Sequence, residues 1–455
     1  MAHATNHETH ATDHGAHATE GEAQHAHRPS AMEALRNPFV RAFALGKIAS
    51  YMGAQIISVA IGWELWERTG DPWALGLVGL FEVLPVFFLM IPAGNAADRF
   101  ARRNVAIGAY SMLVLAALGL TYVSWTRAPV EIVYGLLMAI GAARAFASPS
   151  IESLLPQLVA RQLFANTQAW LVSVGQVSSI SGPAIGGLLI AVFGSATWTY
   201  LVAAGLELIF VATLLTFPAI KPPPSKQKRE MRELFAGLAF IRRNPVFLAA
   251  ITLDLFGVLL GGAVALLPIF AKDILQVGPT GLGILRAAPA VGALLAALLV
   301  AHLPPWQRPG RVLLIVVAGF GLATVGFGLS TSFYLSLVCL FLTGAFDSVS
   351  MVIRDVLQLM ITPDHLRGRV RAVEFMFIGF SNELGAFESG AAAALFGPLI
   401  AVVGGGVGTV LVVLTVALIW PALPRIGPLH TLKPLEDPPR DVERSRMPAA
   451  SAARA

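Results

Sequence analysis

Gly94-Asn95-Ala96-Ala97-Asp98-Arg99-Phe100-Ala101-Arg102-Arg103 is a short polar stretch set between two apolar runs of helical length, 73–94 and 104–124. Charge compressed between two such runs describes a loop joining membrane-crossing helices. A spanning helix needs roughly 20 mostly apolar residues and pushes charge to its ends. Gly94 lets one helix end sharply, and Asp98 can accept hydrogen bonds from free amides at a neighbouring helix N-terminus. The arginines can bridge to acidic groups or anionic lipid, so Gly94, Asp98, Arg99, Arg102 and Arg103 together form a candidate conformational latch.

Outward from this loop, comparable apolar runs lie at 43–66, 130–149, 164–192, 197–217, 246–271, 280–303, 312–331, 333–353, 371–396 and 402–422, twelve in all. The last boundary is the least defined, because Gly404, Gly405, Gly406 and Gly408 weaken the helix signal. Composition agrees: 56% of the 455 residues are AVILMFWYC, 13% are charged, and the mean hydropathy is +0.70. Soluble domains run near a quarter charged, so a water-soluble enzyme is excluded. The expected fold is an all-α membrane protein of twelve transmembrane helices.

Basic residues fall on one side of this topology: Arg99, Arg102, Arg103, Arg161, Lys221, Lys226, Lys228, Arg229, Arg232, Arg242, Arg243, Arg308, Arg311, Arg367, Arg369 and Arg371, against Arg68, Arg127 and Lys272 on the other. By the positive-inside rule both termini are expected in the cytoplasm, and the net charge of +5 marks orientation rather than nucleic-acid binding. Cys339, the single cysteine, sits in an apolar run and reads as a small buried side chain.

The expected organisation is a His-rich cytoplasmic tail (1–38), a six-helix bundle (39–217), a basic linker (218–245), a second six-helix bundle (246–423) and a disordered tail (424–455). Pro222, Pro223 and Pro224 break the sixth helix. In the linker Met231, Leu234, Phe235, Leu238 and Ile241 recur at helical spacing opposite Arg232 and Arg242, which predicts a short amphipathic helix on the inner leaflet. The halves read as repeats. A slide of 203 positions places Gly141 on Gly344, Ser178 on Ser381, Gly182 on Gly385 and Gly187 on Gly390; a slide of 207 places Pro72 on Pro279 and Gly76 on Gly283. Duplicated bundles are the arrangement in which transporters bind substrate between halves.

The 94–103 loop resembles the signature loop of the major facilitator superfamily, with Ala101 where a second glycine is usual. Phe146-Ala-Ser-Pro149 with Leu154-Leu155-Pro156-Gln157-Leu158-Val159, Gly261-Gly262, Leu266-Leu267-Pro268, Gly283 through Pro289, and Ser381-Asn382-Glu383-Leu384-Gly385 are similar to its secretion-effector branch. That resemblance implies twelve helices in two pseudo-repeat bundles and export of a small molecule in exchange for protons. Gly182-Pro183-Ala184-Ile185-Gly186-Gly187 in the fifth span resembles the superfamily's antiporter motif, with Ser178 where an earlier glycine is expected. Small residues there allow close helix approach, and Pro183 bends the helix. Antiport significance and simple packing are both open for it.

Ionisable residues within spans are the sharpest functional pointers, since a mid-bilayer charge costs roughly 2.5–3.5 kcal/mol on insertion scales. Asp254 lies about eight residues into the seventh span, and the resemblance implies that this helix, with the first, fourth and tenth, lines the central cavity. Asp254 therefore carries a proton or contacts substrate, or makes a structural hydrogen bond. Arg144 and Asp347 are repeat equivalents, and a pairing across the cavity is expected if both face it; snorkelling from the cytoplasmic end is the alternative for Arg144. Snorkelling is also expected for Lys47, the repeat equivalent of Asp254. Glu82 and Glu383 lie mid-span in helices the resemblance implies are neighbours, and two carboxylates in low dielectric oppose double ionisation, which makes a coupling pair. Glu388, a further candidate, is about 140° around the helix from Glu383. Glu207 has no assigned role, and Arg286 is a candidate partner for one of the acids.

His3, His7, His10, His14 and His17, with His25 and His27, make a weak metal-binding tract without fixed geometry. No GxxxxGK(S/T) loop, HExxH helix or triad pattern occurs, so neither an enzyme nor a cofactor is expected. The resulting reading is an inner-membrane exporter, its expected partners being protons, lipid and a small molecule such as a siderophore, drug or amphipathic metabolite, with the protein acting as a monomer. Metal-ion efflux through the histidine tail and a non-transporting scaffold or receptor are the alternatives.

Overall fold

A computed structural model describes residues 36–159, 161–220, 231–429 and 432. The histidine tract, most of the basic linker before Met231 and nearly all of the C-terminal tail lie outside them. Twelve long helices run in order: α1 Pro38–Thr69, α2 Pro72–Arg99, α3 Arg102–Thr126, α4 Glu131–Leu158, α5 Phe164–Phe193, α6 Ala196–Leu215, α7 Pro245–Ile274, α8 Gly278–His302, α9 Pro309–Leu329, α10 Phe333–Ile361, α11 Arg367–Phe396 and α12 Pro398–Ile419. Eleven are long and apolar enough to cross a bilayer. The other, α11, is as long but carries Arg367, Arg369, Arg371, Glu374, Glu383 and Glu388.

Most helices outrun the apolar segments that announce them, because the terminal turns are amphipathic and closed by caps. Asn37, Asp71 and Asn244 each accept a bond from a first-turn amide, at 2.9, 2.9 and 3.1 Å. Each is followed by proline, whose missing N–H is no loss there. Gly70, at φ 60°, makes the left-handed turn between α1 and α2. The glycines near the start of α12 do not break it: a Cβ at Gly405 would overlap the Leu260 carbonyl oxygen, and one at Gly406 would sit 2.6 Å from that of Gly321. They are there for close packing, and α12 begins four residues before the expected boundary.

The seventh span is not a continuous α-helix. After Leu260 it breaks at Gly261-Gly262, passes through a 3₁₀ turn at Ala263–Leu266 and ends in a π turn at Phe270–Ile274. A Cβ at Gly262 would lie 2.6 Å from the Gly385 carbonyl oxygen of α11, so the break lets two backbones touch. Non-helical backbone at this depth is tolerated where protein surrounds it or a cavity borders it.

A helix spans Met231–Arg243 and packs on α11. Ile241 is buried and Leu238 is exposed.

The two six-helix bundles meet along α2 with α11 and along α5 with α8. One apolar core runs through the first bundle and continues into the second through Ala263–Ala271, Leu282–Ala288, Phe327, Cys339 and Leu340. A separate core, including Phe247, Leu253, Ile353, Leu357, Val370 and Val413, occupies the part of the second bundle next to the basic loops. The bundles are thus fused at the end away from the basic loops and have separate cores at the basic end. Trp66 donates to Asp273 at 2.9 Å and Lys272 lies 5.9 Å from the Trp63 ring at the fused end.

Candidate functional site

Between the bundles lies a cavity of about 470 Å³. Gln55 and Ser58 of α1, Glu82 of α2, Arg144 of α4, the Gly261–Ala265 break of α7, Arg286 of α8, Thr343 and Asp347 of α10, and Asn382 and Glu383 of α11 line it. Its floor is the fused end. A Cβ at Gly187 of α5 would overlap the Pro279 carbonyl oxygen of α8, and one at Gly283 would overlap that of Pro183. On the other seam, a Cβ at Gly76 of α2 would stand 3.0 Å from Gly390 Cα of α11. Small residues let backbones touch in this way where any side chain would hold them apart. Within the antiporter-like motif the labour is divided: Gly187 and Pro183 meet α8, whereas Gly182 and Gly186 meet Gln55 and Ile56 of α1.

The charged residues sort by partner. Arg144 pairs with Glu82 at 2.5 Å. It is the fourteenth residue of a 28-residue helix, mid-membrane rather than near an end, so it does not snorkel. It also does not pair with Asp347, as the repeat had suggested. Asp347 stands 4.0 Å from Arg354, whose other nitrogen binds Asp254 at 2.5 Å. Asp254 is held inside the second bundle and is absent from the lining of the large cavity; only a small adjoining pocket reaches it, between α7, α9 and α10.

Arg354 was not singled out from the sequence, although a signal existed. It lies seven residues beyond Asp347, two turns along one helical face, where opposite charges sharing a face mark a buried network. A second missed network, Arg371 with Asp355 at 2.5 Å and Glu374 at 3.1 Å, ties α10 to α11 at the basic end. Arg371 had been read only for its contribution to orientation.

Lys47 does not snorkel. It is buried, donates to the Tyr110 hydroxyl at 3.1 Å and lies 4.2 Å from the Tyr51 ring, inside the first bundle. The tenth residue of α1 is too far from the end for its stem to reach water, while three aromatic rings and the buried Glu207 accommodate the cation.

Two cavity charges remain. Arg286 donates to the Ser58 hydroxyl at 2.6 Å and, among the described residues, forms no salt bridge. Glu383 forms neither a hydrogen bond nor a salt bridge among them. Glu82 and Glu383 do border one cavity, with Gly79 packed against the Glu383 backbone, but Glu82 is already committed to Arg144. Glu388 accepts only a 3.4 Å contact from Ser389 and does not line the cavity.

In the 94–103 loop the arginines bind carbonyl oxygens at helix ends, not acids. Arg102 donates to Ser153 at 2.6 Å, and Arg103 to Leu214 and Leu215 at 3.0 and 2.8 Å. Arg99 lies over the Phe100 ring at 5.9 Å. Asp98, half-buried beside Gly94, has no hydrogen-bond or ion-pair partner among the described residues. Among the described residues, no hydrogen bond or ion pair joins this stretch to the second bundle.

A family profile described as "Transmembrane secretion effector" matches residues 29–444. The chain belongs to this family. It is a major facilitator transporter of the efflux or secretion type and not an enzyme. Among curated relatives, the enterobactin exporter EntS of Shigella dysenteriae serotype 1 is 28% identical over 380 residues, covering 83% of this chain and 90% of that one. The EntS of Escherichia coli O157:H7 is 28% identical over 393 residues, covering 86% and 93%. The fold resembles the nucleoside transporter NupG, with TM-score 0.65 and 14% identity over 87% of this chain and 100% of that one. A bacterial homologue of the human lysosomal transporter Spinster, solved inward-facing and unoccupied, gives 0.64 and 15% over 85% and 96%.

Proposed function

We propose that this transporter exports a small molecule across the inner (plasma) membrane by proton antiport, through alternating access, with both termini in the cytoplasm and as a monomer. Its range of substrates is a siderophore, drug or amphipathic metabolite. The positive-inside rule supports the orientation, and in that orientation the fused end faces outward and the separated end faces the cytoplasm. The basic loops then surround the entrance.

The observation that carries this reading is Glu383, unpaired in a cavity between bundles that touch at one end only. A carboxylate in that setting can exchange its proton for substrate without first breaking an ion pair. Protonated from outside, Glu383 releases substrate; deprotonated toward the cytoplasm, it accepts the next. Asp254 and Asp347 share Arg354 and act as the brace that holds α7 to α10. Glu82 and Arg144 fix α2 to α4 beside the cavity. Asp98 and its neighbours engage when the basic end closes.

The test is reconstitution in liposomes with an imposed pH gradient. Uphill movement of a candidate compound that stops when the gradient is dissipated, and that is lost in Glu383→Gln with membrane insertion intact, is the expected result. Uphill movement that survives dissipation refutes proton coupling.

A further inference from the structure

Arginine is costly to place deep within the membrane, and the protein pairs two of those that it holds there with acids: Arg144 with Glu82, and Arg354 with Asp254 and Asp347. Arg286 is the exception. Ser58 aims its guanidinium by one bond at 2.6 Å and leaves the other donors of a five-donor group to the cavity it lines. Across the same cavity stands Glu383, likewise without a salt bridge. Among the described residues the two form no salt bridge with one another, although both line this cavity. Of the other charged residues that line this cavity, Glu82 pairs with Arg144 and Asp347 with Arg354, which leaves one cation and one anion facing a common space.

We infer that the cavity takes a zwitterionic small molecule, its acidic group held by Arg286 and its ammonium or equivalent strong donor held by Glu383. This deepens the exporter reading and rests on it. The two poles do different work. The Arg286 pole is permanent, because a guanidinium keeps its proton. The Glu383 pole is available only when the carboxylate is ionised, so a proton and the donor end of the substrate compete for one group. That competition couples the two fluxes in opposite directions. A purely anionic substrate would bind better with Glu383 protonated, and proton and substrate would then travel together. The zwitterion is therefore the charge type that suits both the residues and an antiporter. A cavity of about 470 Å³ accommodates a compact molecule of this kind.

Three dansyl probes of one length test it: Nε-dansyl-lysine (zwitterion), dansylcadaverine (the same without the carboxylate) and N-dansyl-6-aminohexanoate (without the amine). Binding is read by dansyl fluorescence with the full chain in lipid nanodiscs, empty discs subtracted. The zwitterion is expected to bind roughly ten- to hundred-fold tighter than either single-charge probe, the worth of one charge-assisted hydrogen-bonded contact. Arg286→Gln abolishes its advantage over dansylcadaverine, Arg286→Lys retains part, and Ser58→Ala weakens it several-fold. Glu383→Gln abolishes its advantage over the aminohexanoate and also the loss of zwitterion affinity on acidification. Size-exclusion profiles confirm that each variant is folded. Discs of phosphatidylcholine, with or without phosphatidylethanolamine, separate a soluble zwitterion from a lipid headgroup: competition by the added lipid assigns the headgroup as occupant.

No preference for the zwitterion, whether all three bind alike or none saturates, overturns the inference, as does a preference unchanged in Arg286→Gln. Transport is scored separately in proteoliposomes. Export of dansylcadaverine alone retains the exporter and removes the zwitterion. Selective zwitterion binding without any transport removes the exporter and retains the site.

Discussion

Replacing Gly187 by alanine is expected to turn the transporter toward the conformation closed at the basic end. The new Cβ would stand 3.0 Å from both Gly283 Cα and its amide nitrogen and would overlap the Pro279 carbonyl oxygen. Carbon atoms rest at about 3.5–4.0 Å and the overlap with the Pro279 oxygen is the deeper one, so α5 and α8 must part by roughly 1 Å. The obstacles are backbone atoms and cannot rotate away. Overpacking of this kind costs about 1–3 kcal/mol, and only in the state where these helices touch. The ratio of the two states should therefore move roughly five- to hundred-fold. Cys339 is the only cysteine, so Cys339→Ser gives a blank background for spin labels at Gln162→Cys and Gln307→Cys, in the loops before α5 and after α8 at the basic end. Double electron–electron resonance should show the short-distance population rising in Gly187→Ala. A distance distribution identical to the parent's, in protein that elutes as folded, would mean that the α5–α8 contact does not gate the cavity.

Three other perturbations follow from the packing. Arg354→Leu strands Asp254 and leaves Asp347 uncompensated, and should lower stability by about 3–5 kcal/mol in a detergent melting curve. Asp254→Asn should cost clearly less, because Asp347 stays beside the arginine; equal losses would show that Asp347 contributes nothing to the pair. Glu207→Gln should leave transport unchanged, since the residue lies away from the cavity, but should lower stability by about 1–3 kcal/mol, because it removes the carboxylate that accompanies the buried Lys47. Lost export there would reveal a second ionisable site. Gly237→Val should detach the linker helix from α11, because a Cβ at Gly237 would sit 2.8 Å from the Arg369 carbonyl oxygen; protease cleavage near residues 231–243 should accelerate, and unaltered cleavage would argue against that docking.

The charges inside the membrane carry a general point about depth and rotation. Lys47 and Asp254 are repeat equivalents and are each the tenth residue of their helix. Both lie deep within their own bundle, one satisfied by aromatic rings and a hydroxyl, the other by Arg354. The same position thus acquired opposite charge and a different solution in each half. Asp254, the most conspicuous acid in the sequence, is bound to Arg354 within the second bundle, whereas Glu383 and Arg286, less conspicuous, face the cavity.

The sequence by itself determined an all-helical membrane protein of twelve long helices and the acids Glu82, Asp254 and Glu383 within them, but not the buried Arg354 or the burial of Lys47. What it determined is a property of composition along a single segment, and a bilayer reads composition directly because the backbone polar groups of a spanning helix are satisfied within that helix. Only the tertiary structure decided that Glu82 takes Arg144, that Asp254 and Asp347 share Arg354, that α7 breaks where α11 approaches, and that Arg286 and Glu383 remain unpaired. Those outcomes depend on how each helix is rotated and tilted against neighbours as much as 228 residues away, as for Arg286 and Ser58. Local hydropathy carries no record of that rotation; close packing between whole bundles sets it.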